Sequence, residues 1–204
     1  MNASSLIQAV SDRFPAAVKA SHSYRGDATV LISREFLPEV ARTLKEDPAF
    51  QMNFLMDLTA IDFSSFGAKR SPAFFASSGV AVHPSPEIPD QDPWPGPPGL
   101  HPSAGAAPAR FVVVYHLFSL PLKHRLRVEV PVGEVDEAEP EVDSVTSLWA
   151  GANWLEREVW DMFGIRFRGH QNLKRILMYE EFVGHPLRKD YPVNKRQPLI
   201  GPVN

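Results

Sequence analysis

Apolar and polar positions along this chain repeat with helical spacing in some blocks and alternate in others. Leu6, Ile7, Val10 and Phe14 share one helical face, with Ser4 or Ser5 as the cap and Pro15 as the stop. Residues 16–24 and 27–32 are strand-like and are separated by Arg25-Gly26, which predicts a hairpin. Ser33 then caps a second helix striped by Phe36, Leu37, Val40 and Leu44. Pro38 is tolerated there because it falls in the first turns, and Asp47-Pro48 ends the helix. Residues 50–63 predict a strand with Phe54, Met56 and Leu58 on one face and Leu55 and Asp57 on the other. Residues 111–120 and 126–130 alternate and form a second hairpin through Pro121-Leu122-Lys123-His124. An acidic loop, 134–143, and a short helical turn from Ser144 follow, the turn with Val145, Leu148 and Trp149 inward.

The densest pattern begins at Asn153. As a helix, the next stretch has Asn153 as N-cap and Glu156 at capping-box spacing, and it stops at Gly164. Leu155, Val159, Met162 and Phe163 make its apolar stripe. Arg157 and Asp161 lie four apart on another face and are spaced to pair. Trp154 and Trp160 flank that face, off the stripe. Two tryptophans beside an arginine are interface chemistry, so this helix is expected to pack on its own core and on a partner.

Two segments carry no periodicity. Residues 64–109 hold half of the chain's 20 prolines and predict an extended excursion from the sheet, inside which only Phe74-Phe75 and residues 79–82 offer an edge strand. Residues 165–204 are basic and proline-rich, too polar to build a core of their own. The expected architecture is α+β: a two-layer domain over residues 1–164, helices on a mostly antiparallel or mixed sheet, interrupted by the 64–109 insertion and followed by an extended docking tail.

Composition removes several functions. With no cysteine, disulfides, thiolate catalysis, c-type haem and all-cysteine cluster ligation are excluded. A net charge of -3 makes no general nucleic-acid binder. The aromatics of the basic tail, Phe167, Tyr179 and Tyr191, are mixed with Glu180, Glu181 and Asp190, against an RNA-binding tail. No apolar run suits a membrane span and no secretory signal is visible, which points to a cytosolic or cytosol-facing chain. Phosphate-loop, dinucleotide-turn and nucleophile-elbow motifs are missing, and none of the 7 histidines has a metal-site spacing. One enzymatic reading survives, a hydrolase or lyase using Glu158, Asp161 and His170, but it accounts only for the carboxylates and the histidine.

Glu156-Arg157-Glu158, Asp161-Met162-Phe163-Gly164-Ile165, Gly169-His170 and Lys174-Arg175-Ile176-Leu177 resemble the signature of one family. That family is the C subunit of bacterial NADH:quinone oxidoreductase, respiratory complex I, whose mitochondrial relative is the 30-kilodalton subunit. The resemblance extends to Asp62, to residues 111–120 and 126–130, and to residues 184–192 from Gly184 to Pro192. It does not cover 64–109, and Gln171 stands where the family has proline. It implies a cofactor-free scaffold in the peripheral arm, bracing the hydrogenase-like large subunit and the iron–sulfur subunits near the quinone site. Flavin (FMN), iron–sulfur clusters and quinone would be held by those partners, and contact with the membrane would be indirect, on the cytoplasmic side of the inner (plasma) membrane. The docking residues it implies, together with the off-stripe aromatics, are Trp154, Glu156, Arg157, Glu158, Trp160, Asp161, His170, Arg175, His185, Arg188 and Asp190. Related subunits occur in membrane-bound hydrogenases and in ferredoxin- or deazaflavin-linked dehydrogenases.

Overall fold

The computed structural model describes residues 2–64, 109–133 and 139–197. The 64–109 insertion therefore lies outside the described residues except at its two ends, as do residues 134–138 of the acidic loop and 198–204 of the tail.

Helix α1 spans Ala3–Arg13, and its cap is Asn2 rather than a serine: the Asn2 side chain accepts from Ser5 N. Asn2 wins because it stands one residue outside the first helical turn, where a side-chain oxygen reaches an orphan N–H. Strands β1 (Val18–Tyr24) and β2 (Asp27–Ile32) form the expected hairpin. Arg25 (φ 51) and Gly26 (φ 87) both take positive φ, the two-residue turn whose twist matches the strands it joins. A 3-10 turn at Arg34–Phe36 leads into α2 (Leu37–Glu46), with Pro38 in its first turn and Leu37, Val40, Ala41 and Leu44 buried. Ser33 makes no side-chain cap bond.

Strand β3 (Phe54–Asp62) departs from simple alternation. Its register slips between Leu55 and Asp57, a bulge that puts Leu55 and Leu58 on the same buried face. The expected grouping of Phe54, Met56 and Leu58 is corrected accordingly: Phe54 and Met56 are exposed and Leu58 is buried. Beyond the bulge, Leu58, Ala60 and Asp62 all face the core. Strands β4 (Phe111–Ser119) and β5 (His124–Val132) pair antiparallel. Among the described residues the sheet order is β1-β2-β5-β4-β3, and within this sheet β2 and β5 are the one parallel pair. The chain is thus a two-layer α+β domain on a mixed sheet. One sheet face, with Val30, Val113, Tyr115, Leu117, Val128 and Leu58, packs against the three helices.

Past this sheet, β6 (Glu141–Asp143), α3 (Ala152–Phe163) and β7 (Arg166–Arg168) form a second unit in which β6 and β7 pair in parallel. Ile165 and Phe167 are buried in the core, so the folded domain continues past the expected boundary at residue 164. The acidic loop and the start of the basic tail meet here. Arg168 grips Asp143 with two bonds of 2.9 Å and Arg166 reaches Glu139 at 2.9 Å. The arginines of these pairs are exposed, so solvent screens them. They align strands more than they stabilise them.

The ends of the insertion meet as the ends of a hairpin loop do. β3 and β4 pair up to Asp62 and Phe111, and Phe63 N donates to Arg110 O at 2.8 Å. Replacing residues 65–108 with a short Gly-Ser turn should therefore leave the melting temperature no lower than the parent's. Each halving of loop length changes closure by only about 0.6 kcal/mol, so three halvings raise stability by at most about 2 kcal/mol. Calorimetry of the deleted chain checks this, and a fall of several degrees would mean that the segment contributes core or a strand.

Candidate functional site

Helix α3 collects the residues that the sequence singled out, but it uses them differently. The helix starts at Ala152 behind Gly151, with no side-chain cap, so Asn153 is inside the helix and Glu156 is not part of a capping box. Glu156 is 0% exposed. It points back at the preceding turn, accepting from Ser144 Oγ and Val145 N at 2.7 Å each. Burial pushes its pKa up to about 7, against the lowering effect of the two bonds. Leu155 is only half-buried. The inward face is Ala152, Glu156, Val159, Met162 and Phe163.

Arg157 and Asp161 do not pair with each other. Arg157 donates to Lys174 O (Nε, 3.1 Å) and Arg175 O (Nη2, 3.0 Å). Asp161 is fully buried and holds the next few residues of the same segment. Its Oδ2 accepts from the N–H groups of Ile176, Leu177 and Met178 at 2.9–3.1 Å, and its Oδ1 accepts from Arg175 Nη1. The physical reason is donor count. A buried carboxylate needs several partners, and one exposed i,i+4 arginine supplies a few tenths of a kcal/mol. Burial alone would raise the Asp161 pKa, but the Met178, Leu177, Arg175 and Ile176 donors together hold it below the usual carboxylate range. Arg175 also donates to Phe182 O (2.8 Å) and Gly184 O (3.0 Å) and lies over the rings of Trp160 and Phe182.

The end of α3 is closed by residues far along the chain. Gly164 takes the left-handed conformation (φ 73) that stops the helix. The last carbonyls then receive donors from the segment that follows Gly184. His185 Nδ1 donates to Asp161 O (2.9 Å), Leu187 N to Met162 O (3.1 Å), and Arg188 Nε to Phe163 O (2.5 Å). Gly164 also leaves room for them: a Cβ there would lie 2.5 Å from Arg188 Nη2 and 2.6 Å from the His185 ring. The residue after Arg188 continues the closure. Lys189 N donates to Asp62 Oδ2 (2.9 Å), while Arg110 bridges Asp62 (3.1 Å) and Asp190 (2.8 Å). Burial opposes ionisation of Asp62, yet Arg110 and the N–H groups of Lys189 and Ser64 bring its pKa down to about 2.

The expectation of a tail waiting for a partner is therefore corrected for residues 165–191. They lack an apolar stripe, but their backbone and guanidinium donors meet the carboxylates and helix-end carbonyls of their own domain. Glu156 and Asp161, expected at a docking face, present nothing outward. What faces solvent on α3 is Trp154 (69% exposed) and Glu158, with Arg157 and Trp160 half-buried. His170 is half-buried, its Nε2 3.1 Å from Asn153 O and its Nδ1 accepting from Asn172 N at 3.0 Å. His185, Arg175 and Arg188 are half-buried, and Asp190 is exposed. The Asp62–Arg110 pair is not anticipated by the sequence reading, although one signal was present. Asp62 falls on the core-facing alternation of β3, where a carboxylate requires partners.

Glu158, Asp161 and His170 do not make a catalytic group. Asp161 is sealed with both oxygens engaged, Glu158 is exposed, and both ring nitrogens of His170 have partners. Among the described residues no three of His, Asp and Glu gather as a metal-holding group.

Known proteins resemble this chain along most of its length. The family model described as respiratory-chain NADH dehydrogenase, 30 kDa subunit, matches residues 30–197. The C subunit of the NADH-quinone oxidoreductase of Citrifermentans bemidjiense is 39% identical over 192 residues, covering 93% of this chain and 91% of that protein. Its counterpart in Acidithiobacillus ferrooxidans is 38% identical over 188 residues, covering 92% of this chain and 74% of its own length. Among solved structures, a chain of the membrane-bound sulfane sulfur reductase (MBS), an archaeal respiratory membrane complex, superposes with a TM-score of 0.58 at 16% identity, over 94% of this chain and 86% of that one. At that identity the likeness is one of fold alone.

Proposed function

This chain belongs to the respiratory-chain NADH dehydrogenase 30 kDa subunit family, and from that premise we propose that it is a cofactor-free bracing subunit in the peripheral arm of a proton-translocating NADH:quinone oxidoreductase. It contributes surface rather than a catalytic centre. Flavin, iron–sulfur clusters and quinone are held by its partners, the hydrogenase-like large subunit and the iron–sulfur subunits, on the cytoplasmic side of the membrane. No helix among the described residues is long and apolar enough to cross a membrane; on this proposal, attachment runs through the partner subunits.

One observation carries this reading. α3 and the segment pinned to it expose large apolar side chains: Trp154 at 69% in the first turn of the helix, and Leu177 at 56% and Leu187 at 50% on residues bonded to its last turn. An exposed tryptophan with leucines on a rigid support is the composition of an interface anchor. The carboxylates behind it hold that support still, which reduces the ordering cost of docking.

Trp154→Ala separates this role from folding. With its side chain in solvent, the truncation should change the stability of the isolated chain by no more than about 0.5 kcal/mol. Loss of a central anchor costs about 2 kcal/mol or more in binding, roughly a thirtyfold weaker association. Thermal melts and co-purification of the tagged variant from its membrane complex give the two readings. Equal recovery of partner subunits with Trp154→Ala and parent would refute the docking face.

A further inference from the structure

An open cleft of about 530 Å³ lies between the end of α3, β7 and the returning segment. Trp160 and Leu173 form its apolar walls, and Arg166, Arg188 and His185 bring nitrogen-bearing groups to it, with Glu139 at the rim. We propose that this cleft receives a carboxylate side chain, an Asp or Glu on a segment of a neighbouring subunit, with the Arg188 guanidinium as its principal contact. The proposal rests on the assembly reading above and specifies what one part of that interface recognises.

Charge balance is the first argument. The two arginines that tie the neighbouring carboxylates into the fold have anions of their own: Arg175 has Asp161 and two carbonyls, and Arg110 has two aspartates. Arg188 has only carbonyls, those of Phe163 and Gly164, and the face of the Phe111 ring at 5.3 Å. Among the described residues no carboxylate lies within salt-bridge distance of it. Burial and the nearby Arg110 push its pKa down, and the more remote Asp190 and Asp62 offset this only in part. Such a group is costly to desolvate further unless the incoming surface brings the anion with it.

Shape is the second argument. A guanidinium presents parallel donors to the two oxygens of a carboxylate, and the Trp160 and Leu173 walls suit the methylene stem that carries it. Arg166 at the mouth adds a second cation. Its present partner, Glu139, is an exposed pair with side chains 59% and 71% accessible, so it can exchange for a better anion at little cost. His185 is already tied through Nδ1 to Asp161 O, and its Nε2 has no hydrogen-bond partner among the described residues. The cleft is thus net positive, walled by aromatic and aliphatic carbon, and continuous with the α3 end that the returning segment closes.

The test places a photoreactive p-benzoylphenylalanine at Leu173 in the full-length chain, assembled in its native membrane complex, and sequences the cross-linked peptides by mass spectrometry. The expected product joins this chain to another subunit at a peptide bearing Asp or Glu beside the cross-link. A second variant, Arg166→Glu, changes an exposed residue that supports no buried bond. It should leave the melt of the isolated chain unchanged while reducing recovered partner roughly tenfold, the loss expected from reversing a charge at a complementary contact. Changing the identified acidic residue of the partner to its amide should lower recovery by a similar factor, and adding that change to Arg166→Glu should lower it little further. Cross-links confined to this chain, including to its own residues 134–138, overturn the proposal while leaving the assembly role intact. So do cross-links to a peptide without a carboxylate, or an amide change in the partner that leaves recovery at the parent level. A tagged chain that brings down no other subunit overturns both.

Discussion

Asp161→Ala should destabilise the isolated chain by about 3–5 kcal/mol, the cost of leaving a buried cation and its neighbouring donors without their anion. The Asp161 side chain is 0% exposed and that of Arg175 14%, so water cannot replace the lost oxygens without opening the structure. Four donors lose their acceptor at once: Arg175 Nη1 and the N–H groups of Ile176, Leu177 and Met178. Asp161→Asn keeps the shape and one acceptor oxygen but removes the charge, and should lose roughly half as much. Urea unfolding gives the two magnitudes. Hydrogen exchange locates them, because the amides of residues 176–178 should exchange with the global transition in the parent and well before it in Asp161→Ala. A loss under about 1 kcal/mol would mean that the segment is not held by this carboxylate. A damaged α3 surface would follow from the same change, so reduced assembly of Asp161→Ala alone is no sign of direct contact with a partner.

The second large effect is a pH dependence with an unusual sign. Glu156 titrates near 7 in the folded chain and near 4.5 when unfolded, because burial disfavours its charged form more than Ser144 and Val145 favour it. Below about pH 4.5 the group is protonated in both states and contributes nothing to the difference. As pH rises from 4.5 to 7 the unfolded chain releases a proton that the folded chain keeps, so stability falls. At ~1.4 kcal/mol per pKa unit the fall amounts to roughly 3 kcal/mol, and it levels off above pH 7. Asp62, at about 2, and Asp161, also lowered, act in the opposite window. Their stabilisation is complete above the ordinary carboxylate range and is lost as pH drops through their folded values. Together the three groups favour the folded chain most near pH 4.5, and Glu156→Gln should remove the Glu156 share of the decline above it, leaving that of Glu129, whose pKa burial also raises. At pH 8 the glutamine variant should be more stable than the parent by up to about 3 kcal/mol, and at pH 4.5 the two should coincide. Parent and Glu156→Gln curves that stay parallel from pH 5 to 8 would show that Ser144 and Val145 outweigh burial and keep Glu156 ionised.

Several features were legible in the residues themselves. The stripe of α2, the β1–β2 hairpin with its Arg25-Gly26 turn and the stop at Gly164 all depend on contacts within a few residues, and local sequence encodes these directly. The family signature was legible for a related reason. It is concentrated in one helix and the segment that helix binds, so its residues stay close along the chain. The roles of those residues were not legible. Periodicity says which way a side chain points and nothing about what arrives there. Arg157 and Asp161 sit at ideal pairing distance on a helix wheel, yet each grips the loop around Arg175, because a buried carboxylate is satisfied only by several donors. The same limit explains the bulge in β3, which alternation alone cannot reveal and which moved Leu58 to the core.

The order of residues was enough to establish the class of fold, the organising helix and the family to which the chain belongs. Other features exist only in the folded molecule: the parallel pairing of β2 with β5, the return of residues 165–191 onto their own domain, and the inward roles of Glu156 and Asp161 while Trp154 faces out. Strand order and the partners of buried charges are set by long-range closure, where distant donors and acceptors must all be satisfied at once, and local spacing carries no record of that requirement.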